Sequence, residues 1–321
     1  MFLLSPEIFF WDALILLLLT IAISAALLCG IWSTLHKKKF GTTAAKVCSW
    51  FFVGCTLLIV YAAFIEPQML VINRFEVTHS FGQPITIAVV SDLHVGPYKD
   101  QKFIERVVRK INNELPDIIL IPGDFIFGPQ ANLEALLPLA DLRAPLGTFA
   151  VLGNHDEGMY SSLIGKPVLN ADRGEEIADF LNQIGVTVLR NENRVISLPE
   201  GDIVISGVDD YFTGHHSVAQ AMRDIPKSVF SILLSHNPSV IEEAGALNAH
   251  LIVSGHTHGG QVRLPWFGAM APLPISIDQS FDQGVFQIDD DTILAISRGA
   301  GESHARVRLL AAPEVMILHI K

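Results

Sequence analysis

Three short aliphatic runs, each ending at a side chain able to hold a metal ion, constrain this chain more than any other feature. Asp117 to Asp124 reads D-I-I-L-I-P-G-D. Four consecutive aliphatic residues suit a strand buried on both faces, Pro122 and Gly123 stop it, and Asp124 is left at its carboxyl end. Ligands of α/β sheets gather at that end of the strands. Taken alone, Asp124 reads as a helix cap in a strand-to-helix turn. Its neighbours reverse that reading. Ile85 to Val90 ends in Ser91-Asp92-Leu93-His94, and Thr148 to Leu152 ends in Gly153-Asn154-His155-Asp156. Three strands thus deliver ligand-type side chains to one edge.

The mean hydropathy of +0.40 is high for a purely soluble protein, and the excess lies at the amino end. Ala13 to Trp32 and Val47 to Ile65 carry no charge over 20 and 19 residues. At 1.5 Å per residue each spans roughly 30 Å, the hydrocarbon thickness of a bilayer, so two transmembrane helices are expected. A secretory signal fits the first run poorly: no Lys or Arg precedes it, and it is longer than a signal core. Between the runs lie His36, Lys37, Lys38, Lys39 and Lys46, which place that loop in the cytoplasm and the main domain outside. The expected organisation is an anchor over 1–65, a juxtamembrane connector over 66–83 and a catalytic domain over 84–321. The first 65 residues hold four Lys against Glu7 and Asp12, so the rest carries 18 basic and 31 acidic groups. A balance of about −13 repels a polyphosphate backbone, and nucleic acid is not an expected partner. Cys29, Cys48 and Cys55 all lie in or beside the apolar runs, which leaves the domain without a disulfide or a thiolate nucleophile.

In the juxtamembrane stretch Glu66 to Gly82, Val71, Phe75 and Val77 alternate loosely as a short strand. Phe103, Val107, Val108 and Ile111 mark one face of a helix, and Leu133 to Leu139 reads as a second helix. The β-α-β-α-β order favours a parallel sheet with helices on its faces. Gly158 to Gly174 reads as a loop at the mouth of the site, and Glu175 to Gln183 as a helix. Strands follow at Val186 to Leu189 and Ile203 to Val208. Two more buried runs end in ligand residues: Val229 to Leu234 before Ser235-His236-Asn237-Pro238, and Leu251 to Val253 before Ser254-Gly255-His256-Thr257-His258-Gly259-Gly260. Shorter strands at 284–288, 293–297 and 315–320 suit a second sheet packed on the first.

Five strand ends now carry Asp92, His94, Asp124, Asn154, His155, His236, His256 and His258. Carboxylate, imidazole and one amide oxygen suit Mn²⁺, Fe or Zn²⁺ rather than Ca²⁺ or a thiolate zinc site. The set exceeds the needs of one tetrahedral ion and matches two ions sharing a carboxylate, the arrangement that clamps phosphoryl oxygens and activates water. Each part is weak alone: a D-x-H pair is a common accident, and an H-x-H can be two exposed strand histidines. No G-x-x-x-x-G-K loop is present, which disfavours nucleotide-powered transfer.

The series D-x-H, G-D, G-N-H-D, S-H-x-P and G-H-T-H-G-G-Q, spread over Ile85 to Arg308, closely resembles the calcineurin-like metallophosphoesterases. The resemblance implies a four-layer α/β/β/α sandwich, here preceded by the two transmembrane helices. It implies one metal on Asp92, His94 and His258, a second on Asn154, His236 and His256, and Asp124 bridging. In that pattern His155 faces the scissile phosphate and binds no metal, and Asp156 either orients its ring or acts as a cap. Gly259 to Pro265 is similar to the membrane-linked subgroup that includes UDP-2,3-diacylglucosamine pyrophosphatases of lipid A synthesis. That likeness implies manganese-dependent release of UMP and lipid X from a lipid-linked substrate at the bacterial inner membrane. A cell-envelope phosphodiesterase acting on soluble or wall-derived substrates, and a non-catalytic metal-binding scaffold, are the other readings. An intact His155 beside a full ligand set argues against the scaffold. Arg298 is a candidate for a second phosphate. Asp209 and Asp210 read as supporting groups or a turn, and His215-His216 as solvated loop. His36, His79, His250, His304 and His319 lack companions at ligand spacing and read as structural.

Overall fold

The computed structural model describes residues 6–35, 39–78, 84–161, 167–169, 171–199, 201–244 and 249–321. His36, Lys37, Lys38, His79 and part of the expected mouth loop (162–166 and 170) lie outside the described residues. Two long helices come first, α1 (Pro6–Leu35) and α2 (Lys39–Val60). They pack antiparallel, with Ser49 Oγ donating to the Ala26 carbonyl at 2.8 Å and Gly41 set close against the Trp32 ring. Both are long and apolar enough to cross a membrane, and in each the apolar window is less than one-fifth buried. A buried core helix shows the opposite.

The domain holds β1 (Val71–Val77), β2 (Ile85–Val89), α3 (Gln101–Asn113), β3 (Ile118–Pro122), β4 (Thr148–Val151), β5 (Met159–Ser161), β6 (Pro167–Leu169) and α4 (Gly174–Gln183). It continues with β7 (Thr187–Val188), β8 (Glu192–Ile196), β9 (Ile203–Gly207), β10 (Phe230–Leu234) and β11 (Leu251–Ser254). Last come β12 (Arg263–Leu264), β13 (Gly268–Ala269), β14 (Gly284–Gln287), β15 (Ile293–Ile296) and β16 (Glu314–Ile320). The first sheet runs β1-β16-β2-β3-β4-β7 and the second β14-β15-β11-β10-β9-β8. In the first, β2, β3, β4 and β7 are parallel, with Ile87 opposite Ile118 and Leu120 opposite Phe149. In the second, β9, β10, β11 and β15 are parallel between antiparallel edges β8 and β14.

Strand alternation sends every second side chain to each face. Ile87, Val89, Ile118 and Leu120 therefore meet Ile205, Ile232, Leu234 and Val253 between the sheets. Ala88, Val90, Ile119 and Ile121 pack outward on Phe103, Val107, Ile111, Leu136, Ile177 and Leu181. The outer face of the second sheet is covered by Val218, Ala221, Met222 and Val240 from short helical turns. The four expected layers are present, the last one thin.

Three elements depart from the expectations. The 66–83 stretch supplies β1, which pairs with β16 along its whole length, so the first sheet starts upstream of residue 84. The 315–320 strand lies in the first sheet, between β1 and β2, rather than in the second. Leu133–Asp141 is a 3-10 helix enclosing Pro138, because proline lacks the N–H that an α-helical interior needs.

Candidate metal centre

The strand ends predicted to carry ligands converge. Loops leaving β2, β3 and β4 of one sheet face loops leaving β10 and β11 of the other, and all eight named side chains are buried. Asp92, His94, Asp124, His256 and His258 have φ between 47° and 68°, a left-handed conformation that costs a non-glycine residue energy and clusters at functional sites. The glycines beside them allow the close approach. A Cβ on Gly123, itself at φ 80°, would stand 2.7 Å from the Gly153 nitrogen, and one on Gly255 would collide with Ser91 Oγ and Asp92 Oδ2.

The donor atoms form two groups around one carboxylate oxygen. On one side, His258 Nε2 is 3.3 Å from Asp92 Oδ1 and 3.3 Å from His94 Nε2, and His94 Nε2 is 3.5 Å from Asp124 Oδ2. On the other, His236 Nε2 is 3.2 Å from Asp124 Oδ2 and 3.2 Å from Asn154 Oδ1, with His256 Nδ1 3.0 Å away. The far ring nitrogens are committed: His94 Nδ1 donates to the Ile126 carbonyl, His236 Nδ1 to Pro122 and His256 Nε2 to Pro274, at 3.2, 2.8 and 3.0 Å. A neutral imidazole carries one proton, so each of these rings points a lone pair inward. Asp92 Oδ1 is buried with no hydrogen-bond partner. Lone pairs and carboxylates that crowd together in this way fit cations placed between them.

The electrostatics agree. Burial alone would raise Asp124, but the imidazoles of His236, His155 and His94 hold it well below the ordinary carboxylate range. Burial opposes protonation of His236, yet Asp124, Asp92 and Asp210 raise it well above its usual value. Those neighbours favour positive charge at this point, the sign that a cation placed between the carboxylates would supply. Burial lowers His94 to about 4 and His256 to about 3, keeping both rings neutral and ready to ligate. It also pushes Asp92 up to about 6, against the attraction of His236.

His155 lies beside the His94 ring. Its ring sits 4.6 Å from His94, 4.4 Å from Tyr160 and 5.6 Å from Phe127, centroid to centroid. Its Nδ1 is buried without a partner, and it offers a ring nitrogen within 4.8 Å of the donors of His94 and Asp124. Asp156 acts as a cap and does not orient that ring: its carboxylate accepts from the Phe125, Ile126 and Gly153 amides at 2.9, 3.2 and 3.0 Å, tying the β3 and β4 loops together. Arg298 stands beside the His258 loop, with Nε 3.3 Å from Glu314 Oε2. Asp209 pairs with Arg190, while burial pushes Asp210 up to about 7. His215 and His216 meet Glu157 and Glu243. The start of the expected mouth loop is the β5–β6 hairpin, and Asn154 Nδ2 donates to the Met159 carbonyl at 2.6 Å.

Sequence reasoning missed several neighbours. His304, read as structural, lies near enough to add, after burial, to the lowering of both His94 and His155. Arg308 is fully buried, its Nη2 3.4 Å from His258 Nδ1 and donating to the Gly301 and Arg298 carbonyls at 2.5 and 3.0 Å. The glycines of Gly299-Ala300-Gly301 were the available signal: a Cβ on either would strike the Asp92 segment.

Comparison with known proteins agrees with this geometry. The pattern of the calcineurin-like phosphoesterase family matches residues 85–260. The uncharacterised metallophosphoesterase YkuE of Bacillus subtilis is 31% identical over 81% of this chain and 89% of its own. An uncharacterised metallophosphoesterase of Aquifex aeolicus is 34% identical over 75% of this chain and 86% of its own. The UDP-2,3-diacylglucosamine pyrophosphatase LpxG of Chlamydia trachomatis is 30% identical over 86% of this chain and 94% of its own.

Proposed function

The chain belongs to the calcineurin-like phosphoesterase family and is a metal-dependent hydrolase, and on that premise we propose that it cleaves the pyrophosphate bond of UDP-2,3-diacylglucosamine at a membrane, giving UMP and lipid X. Asp92, His94 and His258 would hold one divalent cation, Asn154, His236 and His256 the other, with Asp124 shared. When bound, such a pair, manganese foremost, would supply charge for the phosphoryl oxygens and acidify a water near neutral pH. The carbonyls of Ile126, Pro122 and Pro274 keep three ligand rings in the tautomer that faces inward. His155, walled by Phe127 and Tyr160, steadies charge on the phosphate or protonates the departing oxygen.

One observation carries the lipid-linked reading: the aromatic wall of the site continues to the apolar helices. From His155 it passes to Phe127 and on to Tyr98 at 6.3 Å, and the Tyr98 hydroxyl donates to Asp12 of α1 at 3.4 Å. Arg306 lies over both the Tyr98 ring and Phe64, just beyond α2. A site linked in this way to the apolar helices suits a substrate held by acyl chains, and α1 and α2 are read as two membrane crossings.

The lysines between the helices favour a second reading, an outward-facing phosphodiesterase with soluble or wall-derived substrates. A reporter fused to the carboxyl terminus locates the domain. The deciding assay offers full-length protein, in micelles with each metal in turn, UDP-diacylglucosamine and water-soluble diesters. Manganese-dependent UMP release is expected. Brisk turnover of soluble diesters with no UMP would exclude the lipid substrate.

A further inference from the structure

The metal chemistry leaves one conspicuous stretch unused. Residues 264–277 contain no charged side chain, and the antiparallel pairing of β12 with β13 folds their first part into a hairpin. At its tip Trp266 is 99% exposed and Phe267 84% exposed. Leu264, Met270 and, on the neighbouring segment, Leu310 are exposed as well. Large aromatic side chains in water forgo the burial that stabilises them, and grouped exposure of this kind marks an interaction surface. Trp266 also takes φ 66°, so a strained backbone holds the ring outward.

Position identifies what the tip meets. Arg263 N donates to the Leu309 carbonyl at 2.9 Å, Leu309 N to Gln261 at 2.8 Å, and Arg308 N to Ala62 at 2.9 Å. Only the Arg308–Leu309 backbone therefore stands between the hairpin base and the turn just beyond α2. Its other attachments lead to the metal centre. Arg263 Nη1 donates to the Gly259 carbonyl at 2.8 Å, and the Pro274 carbonyl accepts from His256 Nε2 at 3.0 Å. Arg263 at the hairpin base and Pro274 downstream of it thus both bind the loop that carries His256 and His258. The one charge at its base, Arg263, is paired with Asp282.

We propose that the Trp266–Phe267 hairpin inserts into the lipid–water interface of the same bilayer that holds α1 and α2, seating the mouth of the metal centre on the membrane surface. Tryptophan prefers that interface, where the ring is buried and its N–H stays hydrated. A permanently tethered domain meets that surface before any protein partner, and an uncharged tip adjoining the helix exit suits it. The inference rests on the membrane anchoring proposed above, but not on the identity of the phosphoester.

The test uses the full chain in vesicles of phosphatidylethanolamine and phosphatidylglycerol. Replacing Trp11, Trp32 and Trp50 by Phe leaves Trp266 as the single indole of four. Its emission should shift to the blue and fall about twofold when the lipids carry bromine near the headgroup end of their chains. In the native background, Trp266→Ser with Phe267→Ser should lower the ratio of lipid-linked to soluble ester turnover about tenfold, with metal content unchanged. A water-like emission maximum untouched by brominated lipid overturns the proposal whatever the activities are. So does an unchanged turnover ratio. Lipid quenching without UMP release instead sinks the substrate assignment and leaves the docking surface standing.

Discussion

Asp124 has two oxygens with different duties. Oδ2 faces His94 and His236 at 3.5 and 3.2 Å, while Oδ1 accepts from the His155 amide at 2.9 Å. Replacing one oxygen with an amide nitrogen puts a donor where a lone pair is needed, so Asp124→Asn should lower bound metal below the roughly two equivalents expected of the intact site. His155→Ala removes no contact among the six residues assigned to individual ions. It should retain both metals and lose about 10²- to 10⁴-fold in turnover, the usual range for a proton-transfer group. Elemental analysis alongside turnover checks the pair, and equal metal loss in both variants would contradict the separate roles. These residues were legible because each follows a buried strand and a chain-breaking glycine or serine. His304 and Arg308 were not, since only the tertiary path of the 298–311 segment brings them to His94, His155 and His258.

At the scale of elements, the aliphatic runs were readable because strands buried on both faces need no alternation. Glu192–Ile196 escaped notice: E-N-R-V-I lies at an edge, half exposed, with no apolar face to betray it. The final strand was legible as a strand but not as a member of the first sheet, because V-M-I-L is equally at home in either. Its pairings with β1 and β2 place it in the first sheet, and the segment joining β15 to β16 carries a buried anion. Glu302 lies 3.0 Å from Lys99 Nζ and 3.7 Å from Arg308 Nε, all three almost wholly inaccessible, and Lys99 also donates to the Pro67 carbonyl at 2.7 Å. Removing this shared anion leaves Lys99 buried without its carboxylate partner and weakens the field that holds Arg308. Glu302→Gln should destabilise the domain by about 3–5 kcal/mol, seen as a lower denaturant midpoint at unchanged slope. A change near 1 kcal/mol would mean that water reaches the cluster.

Across the whole molecule, the helices and the domain are joined by more than a tether. Glu66 Oε1 accepts from the Ala311 amide at 2.7 Å, Ala62 and Pro67 offer their carbonyls to Arg308 and Lys99, and Arg74 pairs with Glu114 at 2.8 Å. We place the start of the catalytic domain near Glu66, because β1 covers one side of β16, whose Val315 to Leu318 are fully buried. A chain starting at Pro84 would expose that strand as a bare apolar edge, a template for aggregation, and would leave Lys99 without the Pro67 carbonyl. A chain starting at Glu66 keeps both. The shorter truncation should therefore collect in the insoluble fraction, while 66–321 should unfold cooperatively and still hydrolyse soluble diesters. If the two proteins melt alike, β1 is an accessory and the boundary belongs at 84. If 66–321 also turns over acylated substrate in vesicles as fast as the full chain does, the helices contribute nothing to delivery. The contact between Tyr98 and Asp12 would then be packing alone.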